Sequence, residues 1–230
     1  MKTEIKTFDD VVEVSAIERY SQAERTGLLK GDKIVAFALH SPREIVHDPG
    51  VIETLKSHDY LTVVRGDIIF KLHYGNGLEG AKFETARAVE NIEVGVESIW
   101  STYWGGTQNS GQTIFIPDHL FWGWSLLPPL LYARFHIWMF VTATFLLWAI
   151  AAFQGLIVFL IAYFASAALP LIYGSELLRE AAQKQGYAAR GIYAIATHGQ
   201  AAALEILTCK LLNEARHSKP NARSHEDSES

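Results

Sequence analysis

Residues 135–173 read FHIWMFVTATFLLWAIAAFQGLIVFLIAYFASAALPLIY, and no Asp, Glu, Lys or Arg occurs between Arg134 and Glu176. As one continuous helix this run would be about 60 Å long, roughly twice the hydrocarbon thickness of a bilayer. The length therefore predicts a two-span transmembrane hairpin, with helices over Phe135–Phe153 and Leu156–Tyr173. The turn falls at Gln154-Gly155, which joins the only amide side chain of the run to a residue that tolerates tight turns. With no ionisable group at mid-membrane, the hairpin reads as an anchor and packing surface rather than an ion path. Its Ala and Ser residues would allow close helix approach.

Upstream lies HLFWGWSLLPPLLYA, residues 119–133. Phe121, Trp122, Trp124, Tyr132 and Trp138, with Arg134, sit where interfacial anchors are expected. Pro128-Pro129 should break any helix there, so 119–134 reads as an interfacial segment, with a third, partly inserted helix as the alternative. Arg134, Arg179, Lys184 and Arg190 flank the hairpin while its tip is uncharged. The positive-inside rule then puts both termini in the cytoplasm of a multi-pass protein of the bacterial inner membrane. The start, MKTEIKTFDDVVEV, has no apolar core of a signal peptide.

The charge balance limits the function classes. Residues 1–134 carry 18 acidic against 13 basic side chains, and the remainder carries seven of each. No basic domain is present to neutralise phosphates, so nucleic acid is not an expected partner. Cys209 is the only cysteine, which rules out an intramolecular disulfide and fits a reducing compartment.

In the first 118 residues, Val11, Val12, Val14 and Ile17 suggest a strand. Ser21 can cap a short helix that ends at Gly27, and Gly31-Asp32 can make a tight turn before a strand over Lys33–Phe37. Asp48-Pro49 suits the start of a helix with Val51, Ile52 and Leu55 on one face. Tyr60–Val64 and Ile68–His73 read as a hairpin around Arg65-Gly66-Asp67. Ala81–Phe83 is a further candidate strand, and Trp104–Gly111, dense in Gly and polar residues, reads as a loop leading to the membrane.

The run SQAERTGLLKGDKIVAF, with its GL-x-x-GD core, resembles a PDZ-like domain over residues 11–75. Gly27, Gly31 and Asp32 form its structural turn. The resemblance implies an α+β domain that binds protein. The Gly-rich loop that holds a partner's C-terminal carboxylate in that family has no counterpart before Val11. Residues 121–190 (WGWSLLPPLLYARFHIW, then LLREAAQKQGY) also resemble a family of small bacterial membrane proteins of unknown function.

After the hairpin, Ser175 can cap a helix to Gln185 that stops at Gly186. Ala188–Glu214 shows apolar residues three or four apart and predicts a second cytoplasmic helix. Residues 217–230 are polar and expected to be disordered. The nine histidines show no i, i+4 pair and no HExxH, and His47-Asp48 more simply begins a helix, so no metal site is expected. No P-loop, GxSxG or GxGxxG occurs. His136, one turn from the hairpin entry, is the one conceivable cofactor ligand.

The expected fold is thus an α+β PDZ-like domain (1–118), an interfacial segment (119–134), a transmembrane hairpin (135–173), cytoplasmic helices (174–216) and a tail. The expected function is a non-catalytic, membrane-anchored accessory, scaffold or assembly subunit without cofactor. Its partners would be the lipid bilayer, other integral membrane subunits and other copies of itself. Alternatives are a PDZ-type module of a membrane protease or other enzyme, and a pore- or lipid-handling homo-oligomer.

Overall fold

Eight strands pair antiparallel in the order β6-β2-β3-β4-β5-β10-β8-β9, and β1 and β7 form a separate pair. This computed structural model describes residues 3–37, 41–47, 60–75, 77–95, 100–118, 127–135 and 137–217. The strands are β1 (Thr3–Phe8), β2 (Val12–Ile17), β3 (Lys33–Phe37), β4 (Tyr60–Arg65), β5 (Ile68–His73), β6 (Ala81–Thr85), β7 (Val89–Gly95), β8 (Ser101–Thr107), β9 (Thr113–Pro117) and β10 (Ala188–Ile195). The helices are α1 (Gln22–Thr26), α2 (Glu44–His47), α3 (Pro128–Arg134), α4 (Trp138–Gln154), α5 (Leu156–Lys184) and α6 (His198–His217).

Period-2 alternation builds the core. Ile34, Val63 and Phe70 point to one face of the sheet, while their neighbours Val35, Val64 and Ile69 point to the other. The first face meets Leu204 and Ala201 of α6, and the second meets Ile92 and Val89 of β7. Both faces of the central strands are therefore covered, which explains their continuous apolar runs.

The fold corrects the α+β PDZ-like expectation. Ten strands in two antiparallel sheets carry the fold among the described residues, and the larger sheet is not complete by residue 118. Residues 188–195, expected to be helical, form β10 between β5 and β8. Gly191 adopts φ +117° at a bulge in this strand, a conformation foreign to a helix. Tyr193 and Ile195 are buried on one side, the alternation of a strand. The three-or-four spacing that suggested a helix belongs to α6 alone. Trp104–Thr107, expected as loop, is the buried half of β8. The aromatic ring of Tyr193 lies where a Cβ at Gly105 would be, 2.5 Å from that position, so the glycine there makes room for a neighbour rather than a turn. The expected helix from Asp48 falls outside the described residues.

The transmembrane hairpin is corrected as well. Among the described residues no single helix is long and apolar enough to cross a membrane. α4 has 17 residues, about 25 Å against roughly 30 Å of hydrocarbon. α5 contains Pro170, and its axis turns by 87° between Leu156–Pro170 and Ser175–Lys184. A mid-helix proline removes a backbone donor and clashes with the preceding turn. The uncharged length is thus shared among the residues that lead into α4, the 17-residue α4 and the first part of a bent α5, not two full spans. The multi-pass localisation with both termini in the cytoplasm rested on those spans and falls with them. Pro128 and Pro129, expected to break a helix, instead occupy its first positions, where no backbone donor is needed.

Candidate functional site

Among the described residues, the apolar hairpin and the cleft at its root are the features that invite a functional reading. α4 and α5 meet at Gly155, which has φ +119° with open space around it; Gln154 is exposed beside it. The packing between the helices is inverted relative to a water-soluble pair. Thr144, Ala151, Ser166 and Ala167 are buried, whereas Phe153 is 93% exposed and Leu156, Ile157 and Phe164 face outward. The polar groups are satisfied inside the hairpin. Thr144 donates to the Phe140 carbonyl (2.8 Å), Trp148 Nε1–H donates to Ser166 Oγ (3.1 Å), and Ser166 donates to the Tyr163 carbonyl (2.8 Å).

Both ends of the hairpin are rooted on one patch of the β domain. Leu131, Tyr132, Phe135 and Ile137 on the entry side, and Leu178, Ala181 and Ala182 on the return side, pack with Trp104, Ile114 and Ile116. Arg134 pairs with Glu205 (3.3 Å) and Arg179 with Asp118, so the first basic residue on each side of the uncharged run is tied to the same domain. Tyr132, expected as an interfacial anchor, is 2% exposed and belongs to this core, whereas Trp138 is 60% exposed. Trp122, Trp124 and His136 lie outside the described residues.

β9 is the edge of the large sheet, and α6 covers its outward donors. The Thr113 N–H points at Cys209 Sγ (3.1 Å) and the Phe115 N–H at Glu205 Oε2 (3.4 Å). The next outward position is Pro117, which has no N–H. An edge closed in this way is protected against pairing with another strand.

Between α3, the β9 edge and α6 lies a cleft of about 340 Å³. Tyr103, Phe115 and Pro117 form its sheet side, Leu131, Arg134 and Phe135 its α3 side, and His198, Gly199, Ala201, Ala202 and Glu205 its α6 side. Its polar groups gather as two pairs. Tyr103 Oη lies 2.6 Å from His198 Nδ1, and burial raises the Tyr103 pKa, which keeps the phenol neutral. Either group can donate across this contact; in the tautomer in which Tyr103 donates to Nδ1, the imidazole carries its proton on Nε2. Arg134 offers five N–H donors, and its one side-chain bond among the described residues goes to Glu205.

Gly27, Gly31 and Asp32 lie elsewhere, at the centre of a structural network. Gly27 ends α1 with φ +93°, and its carbonyl accepts from Arg65 Nη2 (2.9 Å) and Tyr193 Oη (3.2 Å). Asp32 is fully buried and holds Arg65. Burial opposes the Arg65 charge, but the Asp32 carboxylate outweighs it and the guanidinium pKa is raised. Among the described residues no group of three or more His, Cys, Asp or Glu could hold a metal ion. The cleft residues Tyr103, Phe115, His198 and Glu205 escaped sequence reasoning. They lie up to about a hundred positions apart, and only the β10 pairing brings them together. No family model matches the chain, and no curated protein or solved structure matches it either.

Proposed function

We propose that the protein is a non-catalytic accessory or scaffold protein that anchors its β domain to lipid through the α4–α5 hairpin, inserted from one side without crossing. The inverted polarity of the hairpin carries this reading. Small and hydroxyl residues occupy the helix–helix contact and bond within it, while Phe145, Leu146, Ile150, Phe153, Ile157 and Ile161 stand exposed. In hydrocarbon every polar group must be satisfied internally, and small residues favour close helix approach. A protein partner would cover one face and leave a polar one, yet this hairpin has no charged face anywhere between Arg134 and Glu176. Entry and return both pack on Trp104, Ile114 and Ile116, which supports insertion and return on the same side.

Flotation with phospholipid vesicles tests the reading. The intact protein should float with the lipid, and Leu147→Arg with Ile157→Arg should leave it in the dense fraction. A cysteine at Phe153, in a Cys209→Ala background, should resist a membrane-impermeant thiol reagent on either side of sealed vesicles. Labelling from the far side would overturn one-sided insertion. A lipid-free dimer that buries the hairpin and does not float would overturn the lipid reading.

A further inference from the structure

We propose that the cleft between α3, β9 and α6 binds a single-chain fatty acid, with the carboxylate at Arg134 and His198 and the chain among Phe115, Leu131, Phe135 and Ala202. The cleft volume of about 340 Å³ falls within the usual range of small-molecule sites, roughly 300–1,000 Å³. Its lining is aromatic and aliphatic except for the polar groups described above, the composition of a site that orients one headgroup and buries one tail.

The headgroup follows from the donors. Both oxygens of Glu205 are already engaged, by Arg134 Nη1 (3.3 Å) and by the Phe115 N–H (3.4 Å). Arg134 keeps further N–H groups available, and it is 41% exposed on its side chain, so a second carboxylate can reach the guanidinium. His198 adds Nε2–H when Tyr103 holds Nδ1. Two donors beside an acceptor that is already occupied favour an anionic or carbonyl head over an ammonium. The carboxylate then forms a charge-assisted pair while the tail stays out of water.

The source follows from position. Leu131, Arg134 and Phe135 line the cleft and immediately precede α4. The hairpin that would enter lipid thus begins at the cleft wall. The inference rests on the lipid-anchor reading for delivery of the ligand, but the two fail differently.

A fatty acid carrying a mid-chain diazirine, added to vesicles that hold the intact protein, is the probe. Photolysis should label peptides from α3 and α6 as well as the hairpin. Ala202→Trp should reduce the α3 and α6 labelling about tenfold and leave hairpin labelling unchanged. Arg134→Gln, which removes a partly exposed ion pair with Glu205 and a cation–π contact with Phe135, should lower cleft labelling by the acid about tenfold and leave labelling by the matching fatty alcohol unchanged. Labelling confined to 138–170 would overturn the cleft site while sparing the anchor. Equal cleft labelling by acid and alcohol in the unaltered protein would overturn the carboxylate assignment. An absence of hairpin labelling would instead sink the anchor.

Discussion

Arg65 and Asp32 meet in the interior through two hydrogen bonds of 2.7 Å, Nε to Oδ1 and Nη2 to Oδ2, with both side chains at most 1% exposed. The guanidinium continues to Thr208 Oγ1 of α6 (2.8 Å) and to the Gly27 carbonyl. One side chain thereby joins the β4 end, the α1 cap and the C-terminal helix. Removing one partner leaves a buried charge uncompensated, so Arg65→Met should lower stability by about 3–5 kcal/mol. The double variant Arg65→Met with Asp32→Leu should lose less than either single change. Urea midpoints followed by tryptophan fluorescence check this, and strict additivity would contradict a coupled pair.

Glycines of similar conformation should respond very differently to alanine. Gly27 and Gly31 have φ of +93° and +89°. A Cβ at Gly27 would lie 2.0 Å from the Arg190 carbonyl oxygen and from Tyr193 Oη, whereas nothing lies within 4 Å of one at Gly31. Gly31→Ala should cost about 1 kcal/mol from backbone strain alone. Gly27→Ala should cost several times more, because α1 must move off β10. Comparable thermal midpoints for the two variants would refute the close approach.

The β10 strand should be required for the sheet. Without it β5 and β8 lose their common partner and the core face around Phe70 loses Tyr193 and Ile195. A chain shortened to residues 1–186 should show lost protection of the β5 and β8 amides in hydrogen exchange. Native protection in the shortened chain would mean that the N-terminal strands form a domain by themselves.

Alkaline stability should depend on Tyr187. Burial, joined by the negative charges of Glu205 and Cys209, pushes its phenol up to about 12, against an ordinary value of 10.0. A raised folded pKa means that the native state holds the proton more tightly. That contribution is complete below about pH 10 and is lost as pH rises toward 12. Tyr187→Phe should therefore show a shallower loss of stability over pH 10–12, read from urea midpoints. An unchanged slope would place the alkaline loss on other groups.

The β9 edge offers a further check. Glu205→Ala removes the acceptor for the Phe115 N–H and the partner of Arg134. The expected result is a loss of about 1–3 kcal/mol with faster exchange of the Phe115 amide. Exchange unchanged at Phe115 would show that the edge is covered by something other than α6.

Local chemistry was legible wherever one short segment decides the outcome. Ser21 accepts from the Glu24 N–H and Gly27 turns left-handed, because an N-cap hydroxyl and a residue without Cβ satisfy helix ends whatever surrounds them. The β4–β5 hairpin follows from two apolar runs about a tight turn. The absence of charge from 135 to 175 likewise requires a covering for α4 and α5, since it is a property of composition alone.

What the tertiary structure decided were the outcomes set by distant partners. Gly191 to Ile195 has a pattern compatible with either helix or strand, and the open edges of β5 and β8 chose strand. Asp32 read as a turn residue until Arg65 appeared beside it. The uncharged run gave its total length, but where its helices start, bend and return depends on Pro170 and on the packing of Phe135 and Leu178 against β8 and β9. Hydropathy counts residues along the chain, whereas the reach of a helix is set by where its hydrogen bonding is interrupted, and packing and proline control that.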